Sequence, residues 1–140
     1  MQKSIDGSCL CGQIQYKLTG PFSEFHLCHC SQCRRSTGSA HAANIFTQPD
    51  RIRWLSGQNL IKRYDPEIPG VISKCFCSHC GSLVPYISAK SGKLVIPAGG
   101  LSDDPEIRPQ DNIFWDDRAH WYDSVAQAPR CSAGPVKKDG

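Results

Sequence analysis

Ile14, Tyr16 and Leu18 alternate with Gln13, Gln15 and Lys17 in "QIQYKL", the two-residue period of a strand with one buried face. "FHLCHC" (25–30) continues in that style and is expected to put Cys28 and Cys30 on one side. "RIRWLSG" alternates around Ile52 and Trp54 before a turn at Gly57. Further strands are expected in "NLIKRY", "VISKCFC", "LVPYIS", "KLVIP" and "NIFW", with Gly, Pro, Asn and Asp punctuating them. The pattern supports only one helix, short, from about Ser31 to Thr37 and stopped by Gly38. Many short strands separated by turns predict a mostly β, antiparallel architecture. No fixed-period repeat or long linker divides the chain. One domain is expected over residues 1–128, followed by a loose tail over 129–140, where "PRCSAGPVKKDG" is rich in Gly, Pro, Ser and Lys.

Composition narrows the class. At 140 residues with 39% hydrophobic and 21% charged positions, the chain can bury a modest core. A net charge of +3, scattered along the sequence, does not support a nucleic-acid partner or a membrane surface. No apolar run approaches a transmembrane span. The opening residues "MQKSIDGSCLCG" lack the apolar stretch of a secretion signal, so a cytoplasmic protein is the expectation.

The cysteines change the picture most. There are nine, an odd number for a disulfide framework. Cys131 lies in the tail and reads as a free thiol. The others cluster as Cys9 and Cys11, then Cys28, Cys30 and Cys33, then Cys75, Cys77 and Cys80. A C-x-x-C pair closed by Gly, as in Cys77–Gly81, is a metal knuckle whose tight turn aims both sulfurs at one point. Ordinary buried cysteines have no reason to crowd at separations of two and three residues, and a thioredoxin-like site would need a βαβ context that is missing here. All-thiolate ligation favours zinc over hard cations.

Spacing leaves two partitions open. In one, Cys9, Cys11, Cys77 and Cys80 close a four-sulfur site, and Cys28, Cys30 and Cys33 hold a second metal with a fourth position free. In the other, Cys75 fills that position, because strand alternation places it on the same face as Cys77. His29 and His79 sit inside the clusters, yet His29 alternates away from its neighbours and His79 occupies an exposed turn. His41, His120, Trp115, Trp121 and Tyr122 are candidates to line the site, with core packing the commoner fate of such aromatics.

"GSCLCGQIQY", "CHCSQCRRSTGS", "FCSHCGS" and "NIFWDDRAHWYD", in that order from Gly7 to about Tyr122, resemble the glutathione-dependent formaldehyde-activating enzyme family, whose domain is shared with centromere protein V. The resemblance implies two antiparallel sheets in a β-tent stapled by zinc. It implies two zincs per chain, a structural one on Cys9, Cys11, Cys77 and Cys80 and a catalytic one on Cys28, Cys30 and Cys33. It also implies a carbon–sulfur lyase or synthase acting on glutathione, or a similar thiol, and a small aldehyde. Cys75 departs from the family pattern and stays a candidate fourth ligand of the second zinc. Arg34, directly after that cluster, is the candidate for binding glutathione carboxylates, with Arg35 the weaker one. The competing reading is a non-catalytic, zinc-stabilised module that binds a protein partner, which a second site closed by Cys75 would favour.

Overall fold

The structure is a computed structural model that describes residues 3–136. Its strands are β1 (Ser4–Ser8), β2 (Gln15–Thr19), β3 (Glu24–Cys28), β4 (Ala42–Thr47), β5 (Ile52–Ser56), β6 (Ile61–Tyr64), β7 (Lys74–Cys77), β8 (Leu83–Val84), β9 (Tyr86–Ile87), β10 (Leu94–Pro97) and β11 (Asp111–Ile113), with one α-helix, α1 (Ser31–Thr37). The mostly β expectation holds. The strands divide among three sheets, however, ordered β1-β2-β5, β11-β3-β4-β10-β9 and β6-β7-β8. All pairings are antiparallel except that β11 runs parallel to β3.

Alternation explains why these segments pair as they do. In β2, Tyr16 and Leu18 turn inward and are almost wholly buried, while Gln15 stays exposed. Tyr16 needs space on the neighbouring strand, and Gly7 faces it across the β1–β2 ladder; a Cβ at Gly7 would run into the phenol ring. Trp54 of β5 meets the same ring edge-on at 5.6 Å between centroids. On the central sheet Ile45 and Ile96 lie opposite one another and are completely buried. Cys75 and Cys77 of β7 and Val84 of β8 complete a core shared by all three sheets. Each buried aliphatic side chain there contributes about 1.5–3 kcal/mol.

α1 forms where the sequence places it. Cys30 is its N-cap, its sulfur accepting the Cys33 amide at 3.3 Å. Gly38 closes the helix in the left-handed region at φ 66°, donating its amide to the Arg34 carbonyl at 2.8 Å. Residues 129–136 of the expected tail are exposed and outside any helix or strand, whereas 137–140 lie outside the described residues. Among the described residues no helix is long and apolar enough to cross a membrane.

β11 is fastened to β3 by more than its ladder. The Gln110 amide donates to the Phe25 carbonyl, and the Gln110 side-chain oxygen accepts the Phe25 amide. His26 Nδ1 lies 2.5 Å from Asp111 on β11, and its Nε2 lies 3.5 Å from Glu24, which also pairs with Lys93. The hydrogen bond to Asp111 is the main cause that raises the His26 pKa, helped by the Asp111 and Glu24 charges and opposed by burial. A raised folded-state pKa adds stability that is complete below the ordinary imidazole range and fades as pH rises through the raised value. Changing His26 to alanine should therefore lower the melting temperature more at pH 5.5 than at pH 8.5. An equal loss at both pH values would show that the pair does not clamp β11.

Candidate metal centres

Two turns converge to build the first centre. After β1 the chain reverses at Gly12, whose amide donates to the Cys9 carbonyl at 3.1 Å. After β7 it reverses again at Gly81, in the left-handed region at φ 79°, whose amide donates to the Cys77 carbonyl at 2.8 Å. The turns are tied together by Ser82, whose hydroxyl oxygen accepts the Leu10 amide at 3.0 Å. The sulfurs of Cys9, Cys11, Cys77 and Cys80 thus all fall within 4.8 Å of one another. Cys9 and Cys11 are 3.5 Å apart, and Cys11 and Cys77 3.9 Å. Sulfurs sharing one tetrahedral zinc at about 2.3 Å stand about 3.8 Å apart, so the spacing fits.

Hydrogen-bond partners face three of these sulfurs. The Ile14 amide points at Cys9 Sγ at 3.3 Å, and the His79 amide at Cys77 Sγ at 3.4 Å. The Ser82 hydroxyl, 3.3 Å from Cys80 Sγ, is the main reason that the Cys80 pKa falls to about 5. Cys9 and Cys77 are buried, while Cys11 and Cys80 sit nearer the surface. His79 is exposed, as its turn position predicts, and is not part of the group.

The second centre grouping Cys28, Cys30 and Cys33 lies where β3 passes into α1, again with all sulfurs within 4.8 Å. Strand alternation is not what brings Cys28 and Cys30 together: β3 ends at Cys28, and Cys30 reaches the cluster as the helix cap. A hydrogen bond from the Cys33 thiol holds Cys28 down, to about 6, and the same contact together with burial pushes Cys33 far up. Among the described residues the cluster has three sulfurs, and Cys75 is not gathered with them. Cys75 is buried in the main core beside Arg63, and burial pushes its thiol up.

The surroundings of the second centre come from distant segments. The His29 amide donates to the Ile113 carbonyl, and its Nε2 donates to Asn112 Oδ1 at 2.9 Å. The His29 ring is fully buried against His41, Trp115 and Tyr122, with centroid separations of 5.0, 5.1 and 4.8 Å. His29 is a packing element rather than a member of the sulfur group, as its position predicts. His120 and Trp121 are exposed, whereas Trp115 and Tyr122 reach the imidazole pair. Arg34 is half-buried, and its Nε has no partner among the described residues. Arg35 is exposed.

Sequence reasoning missed three supporting residues. Ser82 bridges the two knuckles, Asn112 orients His29, and the Gln32 side-chain oxygen accepts the Ile72 amide at 2.9 Å, holding the loop before β7 against α1. Ser82 directly follows a metal knuckle, which is a usable signal. Asn112 and Gln32 act on partners far away in sequence and carry none.

A mostly β scaffold with two cysteine clusters able to hold metal ions is the class that fold and sites define. The chain belongs to the family described as glutathione-dependent formaldehyde-activating enzyme, whose model matches residues 4–117. A Halomonas elongata protein whose provisional name is glutathione-dependent formaldehyde-activating enzyme is 28% identical over 138 residues, covering 93% of this chain and 87% of its own. A crystal structure of a Rhodobacter sphaeroides protein shares the fold, with a TM-score of 0.57 at 20% identity over 76% of this chain and 98% of that one.

Proposed function

We propose that this chain is a zinc-dependent carbon–sulfur lyase or synthase that joins glutathione, or a similar thiol, to formaldehyde or another small electrophile, as an S-hydroxymethylglutathione synthase does. The observation that carries this reading is the unequal number of sulfurs: four at one centre and three at the other. In this reading Cys9, Cys11, Cys77 and Cys80 hold a structural zinc, and Cys28, Cys30 and Cys33 hold a second zinc, with Cys75 outside the set. When bound at the second centre, zinc would stabilise an added thiol as its thiolate and polarise a carbonyl oxygen.

The remaining work falls to the chain. Arg34 and Arg35 offset the negative charge of three thiolates and offer guanidinium groups to the carboxylates of glutathione. The Arg34 Nε is buried and has no hydrogen-bond partner among the described residues. The protein cysteines stay ligands throughout, so the sulfur that bonds to carbon is the substrate's. As that bond forms, the carbonyl π pair moves to oxygen and the thiol proton ends there; the reverse reaction returns both. Nine unpaired cysteines suit a reducing compartment, and we place the protein in the cytoplasm.

Zinc X-ray absorption on the intact protein, with and without glutathione, tests the reading. Two zincs per chain are expected, with the sulfur count rising at one of them when glutathione is added. Two sulfur shells that glutathione leaves unchanged would overturn the enzyme reading. They would favour a protein-binding module, for which exposed Phe114, Trp121 and Val125 offer an apolar surface.

A further inference from the structure

Formaldehyde is the smallest of aldehydes, and the space beside the second centre is too large for it alone. A cavity of about 180 Å³ lies between α1 and the strands, with Cys33 in its wall. Its lining is mostly apolar, with Ala42, Ile72, Val84 and Tyr86 beside the polar Thr37, Asn44 and Lys74, and Cys75 faces it from β7. Ile72 also packs on the group formed by Cys28, Cys33 and Ala42, so the cavity and the sulfur cluster share a wall. The Gln32–Ile72 hydrogen bond holds that wall in place.

Size and chemistry define the occupant. An apolar cavity of about 150 Å³ admits benzene. Formaldehyde, with one carbon and no substituent, would leave such a space almost wholly unfilled. An aldehyde with a substituent of about four to six carbons would fill it and exchange water for aliphatic and aromatic contacts. Building on the reading above, we infer that the preferred electrophile of this chain is an aldehyde carrying an apolar aliphatic or aromatic substituent, which lies in the cavity between Cys33 and Cys75 while its carbonyl carbon is at the second centre. The chemistry is unchanged: the thiol sulfur bonds to the carbonyl carbon, the π pair goes to oxygen, and the thiol proton ends on that oxygen to give an α-hydroxy thioether. No oxidant or reductant is needed.

Two readouts on the zinc-loaded full chain test this. The first compares kcat/KM for pentanal, benzaldehyde and formaldehyde with glutathione, after subtraction of the spontaneous reaction. The second follows the methyl resonances of Ala42, Ile72 and Val84 during titration with benzyl alcohol, an unreactive analogue. Benzaldehyde or pentanal should exceed formaldehyde by about tenfold or more, the usual scale of discrimination by an apolar pocket. Benzyl alcohol should shift all three methyl groups. Ala98→Leu, which adds bulk at the cavity wall, should reduce the ratio of benzaldehyde to formaldehyde turnover by about tenfold. Preference for formaldehyde with unmoved methyl resonances would overturn the inference and leave the parent reading standing. Failure to turn over any aldehyde would overturn the parent reading. The methyl resonances would then decide alone, shifts upholding the cavity as a site for small apolar ligands and silence overturning it.

Discussion

Cys77→Ser should leave the chain without a cooperative thermal transition and without its β-sheet circular dichroism. Cys77 is completely buried, sits at the end of β7, and joins three other sulfurs contributed by two turns far apart in sequence. Cys11 and Cys77 alone are separated by 66 positions, so a metal at this centre closes about half of the chain into a loop. Structural zinc sites of this kind supply roughly 10–16 kcal/mol of apparent binding free energy, which in small domains is folding free energy. Whole domains are stable by only about 5–15 kcal/mol, so losing even half of the site's contribution leaves little or no margin. The serine would also bury a hydroxyl where a thiolate and the His79 amide had met. Cys131→Ser is the control: that residue is exposed, and its loss should change stability by no more than about 0.5 kcal/mol. A Cys77→Ser protein that melts like the parent would refute the structural assignment.

Cys30→Ser should have the opposite profile, with the fold retained and the chemistry lost. Serine is among the best N-cap residues, and its oxygen can accept the Cys33 amide that the Cys30 sulfur accepts now. α1 should therefore keep its start, and the melting transition should remain cooperative with a cost of about 1–2 kcal/mol. The trio of sulfurs becomes a pair, and two thiolates hold zinc poorly in the absence of other donors. Metal content should fall from two zincs to one, and thiol–aldehyde turnover should fall by about a hundredfold or more, the scale on which loss of a metal's charge stabilisation is felt. Retained turnover with one zinc would place the chemistry elsewhere. The two variants form a pair: one removes the fold and everything with it, the other removes only the reaction.

Local physical chemistry made much of this legible from sequence. α1 was readable because both its ends are decided within a turn, by the cap at Cys30 and the left-handed Gly38. β2, β5, β7 and β10 were readable because their apolar positions face a core. β1 and β4 escaped for the opposite reason. β1 has one deeply buried apolar side chain, Ile5, and carries Gly7, a poor strand residue kept for the Tyr16 ring. β4 mixes Ala42, Ala43 and Asn44 with Ile45 and Phe46, and its buried positions do not alternate cleanly.

The sequence by itself determined the cysteine motifs and most of the strands and the helix around them, because turn chemistry and side-chain period act over a few residues. It could not decide how the cysteines divide. Cys75 and Cys77 share a strand face, yet Cys77 joins Cys9, Cys11 and Cys80 while Cys75 looks into a cavity that it shares with Cys33. That division depends on how the β1–β2 turn meets the β7–β8 turn. The burial of His29 under Trp115 and Tyr122 likewise needs β11 to lie parallel to β3. Both are pairings across about 60 to 90 residues, chosen by the packing of a common core, and no local pattern encodes a partner at that distance.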